Sequence, residues 1–185
     1  MNQSHMLRTW AIAEVANPRW AANLAGVPWP PGLKAKMDVG QWDALTEAEW
    51  GMDEQVICQL RAPLLDGLLP LQPHWYEGGL PIEAVADMRI MAFPPCVEKA
   101  PSRRLADLAE AERGAGPVGQ AEFARAIMVG LPIAVGRTLD GPFLLVEGYT
   151  RCCRALRDQN TGLYDGLPMP MVVGVTERIQ EWAWC

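Results

Sequence analysis

The spacing of apolar residues predicts one long amphipathic helix in the first half of the chain. Within segment 46–65 the apolar positions recur at three- and four-residue intervals, which places them on one face of a helix. Thr46 and Glu49 stand at its start with the spacing of a capping box. The residues of the predicted apolar face are Trp50, Val56, Ile57, Leu60 and Leu64. A shorter helical stretch is expected over about 9–25.

The second half of the chain alternates short apolar runs with turn residues, a pattern typical of strands and connecting helices. Asp140-Gly141 predicts a hairpin turn between the second and third of these runs. Segment 71–81, "LQPHWYEGGLP", is predicted to be a loop because of its proline and glycine residues. The predicted strands span about 87–93, 131–137, 142–148 and 169–176. The predicted helices span about 102–113, 119–129, 150–158 and 177–184.

These elements predict an α+β fold with a small mixed sheet and helices. Six of the eight tryptophans lie in the first 75 residues, where helical segments surround the proline-rich stretch 26–32. We therefore predict a Trp-rich, mainly helical N-terminal extension at 1–85 and an α+β domain at 86–185.

The composition narrows the class of protein. A formal charge of −6 and a pI near 4.9 argue against a protein that grips nucleic acid by bulk attraction. The five cysteines show no CxxC pair, so we expect reduced thiols and no zinc site. Arg8, Glu14 and Arg19 interrupt the apolar residues near the start, so no signal peptide is expected. We predict a cytoplasmic protein without a membrane span.

The segment Glu147 to Arg151 is the strongest candidate for chemistry. Gly148 separates a predicted strand from a predicted helix, where a residue without Cβ permits a tight turn and a close approach of backbone N–H groups to a ligand. The N-terminus of a helix favours phosphate or carboxylate, and Arg151 adds a cation suited to phosphate oxygens. Alternatively, Thr150 serves only as a helix cap, and Arg151 pairs with Glu147 or Asp158.

The order of elements around this turn resembles that of the ParB/sulfiredoxin superfamily. The similarity covers roughly residues 88–176 and runs through "AIMVGLPIAV" and "LLVEGYTRCCRA". The matching positions are Ala126-Ile127, Gly130, Pro132-Ile133, Val135, Leu145-Val146, Gly148, Arg151 and the small Cys153 or Ala155. The resemblance implies the ParB/sulfiredoxin-like fold for the second domain.

The resemblance also implies chemistry at this turn. ParB-type members bind and hydrolyse CTP with a second arginine two positions after the first, whereas this chain has Cys153 there and Arg154 one residue later. Sulfiredoxins carry a catalytic cysteine directly after the glycine, where this chain has Tyr149. The free-serine kinases of this fold have an acidic residue before the glycine, as Glu147 is here. Such a carboxylate can hold Mg²⁺, act as a base in phosphoryl transfer, or position Arg151.

Three hypotheses follow from these residues. The first is binding of a nucleotide or other phosphate-bearing ligand, with Mg²⁺ as a candidate cofactor and with phosphotransfer or nucleotide hydrolysis left open. The second is a catalytically silent subunit of a bacterial assembly, with the Trp-rich half docking a protein partner. The third is a DNA-associated ParB-like protein. The candidate ligand-binding residues are Gly148, Tyr149, Thr150, Arg151, Arg154, Ser102, Arg103 and Arg104, with Glu147 as the candidate catalytic residue. Ser102 to Arg104 alternatively form only a capped helix start with solvated arginines.

Overall fold

A computed structural model describes residues 1–15, 17, 20–112, 130–160 and 166–185 of the chain. The helix predicted over 119–129 lies outside the described residues, as do the motif residues Ala126 and Ile127. The described residues divide into two compact units. The helical unit comprises residues 2–15, 17, 20–65 and 130, and the sheet unit comprises Met1, 66–112, 131–160 and 166–185. The domain boundary expected after residue 85 stays a prediction.

The sheet unit is built on a mixed five-stranded sheet, and the predicted α+β fold class is confirmed. The order across the sheet is β1-β5-β3-β4-β2. Strands β1 and β5 are antiparallel, as are β3 and β4, whereas β3 runs parallel to β5 and β2 runs parallel to β4. The strands are β1 (His74–Leu80), β2 (Arg89–Ile90), β3 (Ile133–Gly136), β4 (Phe143–Glu147) and β5 (Met169–Val175).

The described helices are mostly short. Among the described residues, no helix combines the length and the apolar character needed to cross a membrane. The helices are α1 (Gln3–Val15), α2 (Ala21–Ala25), α3 (Leu33–Asp38), α4 (Glu47–Leu60), α5 (Ala62–Leu68), α6 (Ile82–Ala86), α7 (Pro94–Lys99), α8 (Leu105–Ala111) and α9 (Tyr149–Asn160).

Helix α4 begins with the predicted capping box. The Glu49 N–H donates to the Thr46 hydroxyl over 3.3 Å, and the Thr46 N–H donates to the Glu49 carboxylate over 2.7 Å. The helix predicted to run to 65 instead breaks at Arg61, where φ is −115°. Pro63 accounts for the break, because it has no N–H to continue the helical bonds of α4 and its ring would clash with the carbonyl four residues before it.

The loop predicted at 71–81 is wrong, because this segment contains strand β1. Only Trp75 of the strand is buried, and Gly78 and Gly79 obscure the alternation that marks a strand. The strand forms through its pairing with the apolar strand β5 along seven residues. Trp75 lies opposite Gly174, and a Cβ on that glycine would be 2.6 Å from the Trp75 ring. The distant glycine thus makes room for the indole.

Two further predicted elements are shorter than expected. The strand predicted over 87–93 is only Arg89–Ile90, which pairs with Leu144 and Leu145 of β4. The helix predicted over 177–184 is wrong, because only Ile179–Glu181 forms a 3₁₀ turn. The Trp184 carbonyl, near the end of that segment, accepts instead from the side chain of Arg103. The remaining predicted strands and the hairpin between β3 and β4 are confirmed.

Helices α6, α8 and α9 pack together and contribute to an apolar core with residues from one face of the sheet. Leu105 and Leu108 of α8 and Cys152, Cys153 and Leu156 of α9 are buried in this core. The sheet residues in the same core include Ile90, Ala134, Phe143, Leu145, Met171 and Val173. Because β4 and α9 both belong to this core, the turn between them is held at both ends.

We predict that Gly174→Ala destabilises the protein by about 1–3 kcal/mol, because the new methyl group overpacks the Trp75 ring. Gly78→Ala is the matched control, since it also lies in a strand but a Cβ there meets nothing within 4 Å. Chemical denaturation of the full chain measures both changes. Equal unfolding free energies for the two variants would contradict the close Trp75–Gly174 packing.

Candidate functional site

The candidate turn lies where β4 ends and α9 begins. Glu147 is the last residue of β4, Gly148 makes the turn and Tyr149 opens the helix. Since β2 runs parallel to β4, the carboxyl ends of both strands lie at the same edge of the sheet. Ligands of open α/β sheets bind outside the carboxyl ends of strands, which makes this edge the natural place for a site.

Gly148 is required at the turn for two reasons. Its φ is +93°, a backbone conformation that residues with a side chain rarely adopt. A Cβ on Gly148 would also lie 2.7 Å from Cβ of Pro132, just before β3. Packing therefore explains the glycine as fully as ligand approach does.

The first turn of α9 presents backbone donors. The first helical hydrogen bond runs from the Cys152 N–H to the Gly148 carbonyl over 2.9 Å. The N–H groups of Tyr149, Thr150 and Arg151 precede that bond, so helix geometry gives them no acceptor within α9. The Thr150 side chain is exposed beside them. Backbone donors and one hydroxyl group thus meet at the positive end of a helix of 12 residues.

Arg151 and Glu147 form an ion pair beneath this surface. Arg151 is only 8% exposed, and its guanidinium nitrogen lies 3.6 Å from a Glu147 carboxylate oxygen. The two residues are one helical turn apart in sequence, as the alternative interpretation of Arg151 anticipated. The pair keeps a positive and a negative charge together behind the exposed Thr150.

Tyr149 links the ends of β2 and β4. Its hydroxyl donates to the Leu145 carbonyl over 2.9 Å and accepts from the Met91 N–H over 3.0 Å. Burial raises the pKa of Tyr149, so the phenol stays protonated and keeps its donor role. Tyr149 thus has a structural role at the start of α9.

Arg103 binds the carbonyl of the Ile90–Met91 peptide group, whose N–H donates to Tyr149. Its Nε donates to the Ile90 carbonyl over 3.1 Å, next to the Met91 N–H that Tyr149 binds. Its two terminal nitrogens donate to the carbonyls of Trp184 and Cys185. The backbone of Arg103 has a φ of +59°. Its guanidinium therefore binds the C-terminal segment. This role could not be predicted from the sequence, because the partners are more than 80 residues away.

The other predicted phosphate contacts have partners within the sheet unit. The Ser102 hydroxyl donates to the Asp107 carboxylate and accepts from the Arg104 N–H. Ser102 does not cap α8 as the predicted alternative had it, because Arg104 is the N-cap residue and no side chain caps the helix. Arg104 pairs with Asp87 over 2.6 Å, and both side chains are exposed. Arg154 lies 3.3 Å from Asp158 along α9.

The vicinal cysteines of α9 are packing residues. Cys152 and Cys153 are buried in the core that α9 shares with the sheet. Burial raises the pKa of both thiols, that of Cys153 to about 12. Both thiols are therefore protonated at neutral pH, and a protonated thiol is a poor nucleophile.

Glu147 is the carboxylate nearest the turn in sequence and the one that Mg²⁺ would use there. Within the described residues, no group of three or more His, Cys, Asp or Glu side chains is arranged to hold a metal ion. Mg²⁺ is commonly bound by one or two carboxylates together with substrate phosphates, so Glu147 fits a shared metal but not a metal held by protein alone.

A cleft of about 90 Å³ between α6, α8 and α9, lined by residues such as Ala109, Leu156 and Arg157, is smaller than the usual ligand pocket.

The tryptophans of the N-terminal half pack within the protein. None of the eight tryptophans, all of which are described, is classed as exposed. In the helical unit Arg61 lies over the rings of Trp10 and Trp20, at 5.9 and 4.8 Å from their centroids, and donates to the buried Glu14. Trp42 stacks on Trp50 at 6.1 Å between centroids. The docking of a partner by this half of the chain stays a prediction.

Comparisons with protein-family models, curated proteins and solved structures find no match to this chain. The resemblance to the ParB/sulfiredoxin superfamily therefore rests on the motif residues alone and stays a prediction.

We predict that Gly148→Ala destabilises the protein by about 2–4 kcal/mol, since it adds a contact with Pro132 to the strain of a positive φ. Gly166→Ala is the control that measures the strain of a positive φ alone, because Gly166 has a φ of +79° and open space around its Cβ position. Thermal denaturation of the full chain compares the two variants. A loss no larger than that of Gly166→Ala would exclude the close contact with Pro132.

Proposed function

We propose that the protein binds a phosphate-bearing small molecule, such as a nucleotide, at the turn from Glu147 to Arg151. The observation that carries this proposal is the exposed Thr150 at the N-terminus of α9, directly after the carboxyl end of β4. Helix N-termini bind anions because their first N–H groups are unsatisfied and carry partial positive charge. The resemblance to the ParB/sulfiredoxin superfamily supports the same turn.

The charges around the turn favour an anion held mainly by backbone groups. The Thr150 hydroxyl and the first N–H groups of α9 would contact the phosphate oxygens. Arg151 would act from behind the turn, because its side chain is buried beside Glu147. A buried cation interacts more strongly with a nearby anion than an exposed one, since the local dielectric constant is lower.

Mg²⁺ would join the site only together with the ligand. Glu147 would then share the ion with phosphate oxygens, and it would have to loosen its pairing with Arg151. Phosphotransfer or nucleotide hydrolysis would further require a base or a positioned water. We therefore propose binding as the function. Catalysis, with Glu147 as the catalytic residue, is a separate hypothesis.

We predict that calorimetry detects binding of at least one of CTP, ATP, ADP and GTP in the presence of Mg²⁺, and that Thr150→Glu abolishes it. A carboxylate at this position would occupy the positive end of α9 in place of the phosphate. The same change is expected to stabilise the helix by about 0.3–1 kcal/mol at low salt, so loss of binding would not reflect unfolding. Thr150→Val, which removes only the hydroxyl, is expected to weaken binding by about tenfold or more.

Gln159→Glu is the control, because it adds the same charge to an exposed position near the other end of α9. It should leave nucleotide affinity unchanged within about twofold, as expected for an exposed charge beyond the Debye length. The proposal is wrong if none of the four nucleotides binds the wild type at millimolar concentration. It is equally wrong if Thr150→Glu and Gln159→Glu alter affinity to the same extent.

A further inference from the structure

The helical unit contains a buried carboxyl group without a partner. Asp53 of α4 is 1% exposed, and neither of its carboxyl oxygens has a hydrogen-bond partner in the described part of the chain. Its position follows from helical spacing, because residues 50, 53 and 57 lie on one face of α4 and Ile57 is also buried. Ionised carboxylates in such surroundings are unfavourable unless they are paired.

Charged side chains of α4 and of the elements packed against it are paired with groups other than Asp53. Glu49 lies one turn before Asp53 on the same helix and bonds to Lys36 of α3 and to the Thr46 N–H. Arg8 of α1 pairs with Glu47 and Glu54, and Arg61 pairs with Glu14 of α1. The other described titratable and charged groups of α1, α3 and α4, with Arg61 directly after α4, are His5, Arg8, Glu14, Lys34, Lys36, Asp38, Glu47, Glu49, Glu54, Cys58 and Arg61. None of them is bonded to Asp53.

We propose that Asp53 is a proton-operated switch of the helical unit, packed while its carboxyl group is neutral and loosening the packing of α4 when the group ionises. The environment supports this inference. Burial, reinforced by the negative charge of Glu49, raises the pKa of Asp53 from 3.8 to about 7. The carboxyl group would therefore change its charge near neutral pH.

The direction of the pH effect follows from proton counting. Between about pH 4 and pH 7 the folded state holds a proton on Asp53 that the unfolded state has lost, so stability falls as the pH rises. Above about pH 7 both states are ionised and this dependence ends. Glu49 acts in a different range, because its bonds to Lys36 and Thr46 lower its pKa to about 2. Its contribution is lost only at acidic pH.

Hydrogen exchange of the full-length protein, measured at several pH values, tests the proposal. For peptides from α4, the opening constant of the wild type relative to Asp53→Asn should rise by about fiftyfold from pH 5 to pH 7, because the folded and open states differ in the pKa of Asp53. Peptides from α9, in the sheet unit, serve as the internal reference. Asp43→Asn, which neutralises an exposed aspartate of the same unit, should reproduce the wild-type pH dependence.

Two further measurements keep the test decisive if Asp53→Asn folds poorly. Asp53→Leu should likewise remove the pH dependence between pH 5 and pH 7, because it also lacks an ionisable group. Carbon-13 NMR of the wild-type carboxyl groups should find one aspartate signal that titrates near pH 7. This signal should be absent from the spectrum of whichever variant folds, Asp53→Asn or Asp53→Leu. A wild type in which every aspartate titrates below pH 5, or a variant that keeps the wild-type pH dependence, would overturn the proposal.

Discussion

The close passage of Gly148 past Pro132 is the contact on which the arrangement around the candidate site depends. Pro132 precedes β3, and its carbonyl accepts from the Val172 N–H of β5 over 2.8 Å, so the contact connects the start of α9 to two strands. Only a glycine permits both this approach and a φ of +93°. The direction of α9, and with it the direction of its first N–H groups, therefore follows from packing.

The helical unit contains two buried acidic residues, Glu14 and Asp53, whose carboxyl groups have different hydrogen-bonding environments. Glu14 has partners at one carboxylate oxygen, Oε1, because Arg61 and the Trp10 indole donate to it and the guanidinium lies over two tryptophan rings. Such a cluster can tolerate ionised groups since each charge has a partner, although desolvation consumes much of the attraction. Asp53 lacks that compensation within the described residues. The burial of Asp53 is therefore tolerable mainly in the neutral form.

Local patterns predicted the elements whose stability is local, and missed those that distant residues create. The capping box, strand β4, the hairpin and α9 follow from spacing along the chain and are present. Strand β1 was missed because its partner strand and the glycine that receives Trp75 are about 100 residues away. At the candidate site, spacing left the pairing of Arg151 with Glu147 or with Asp158 open as an alternative, and the structure has the pair with Glu147. It could not predict the bonds of Tyr149 to Met91 or of Arg103 to the C-terminal segment, because these depend on strand order and tertiary contacts.

The arginines near the candidate site differ in how readily they would serve a ligand. Arg104 and Arg154 belong to exposed or half-exposed pairs, which contribute little to stability and exchange partners easily. Arg103 is committed, because its guanidinium already donates to three backbone oxygens, those of Ile90, Trp184 and Cys185. The cation best placed behind the turn is then Arg151, already beside Glu147. One phosphate group would lie at the α9 N-terminus in front of Arg151, and the other phosphates of a nucleotide would need the metal ion that Glu147 could share with them.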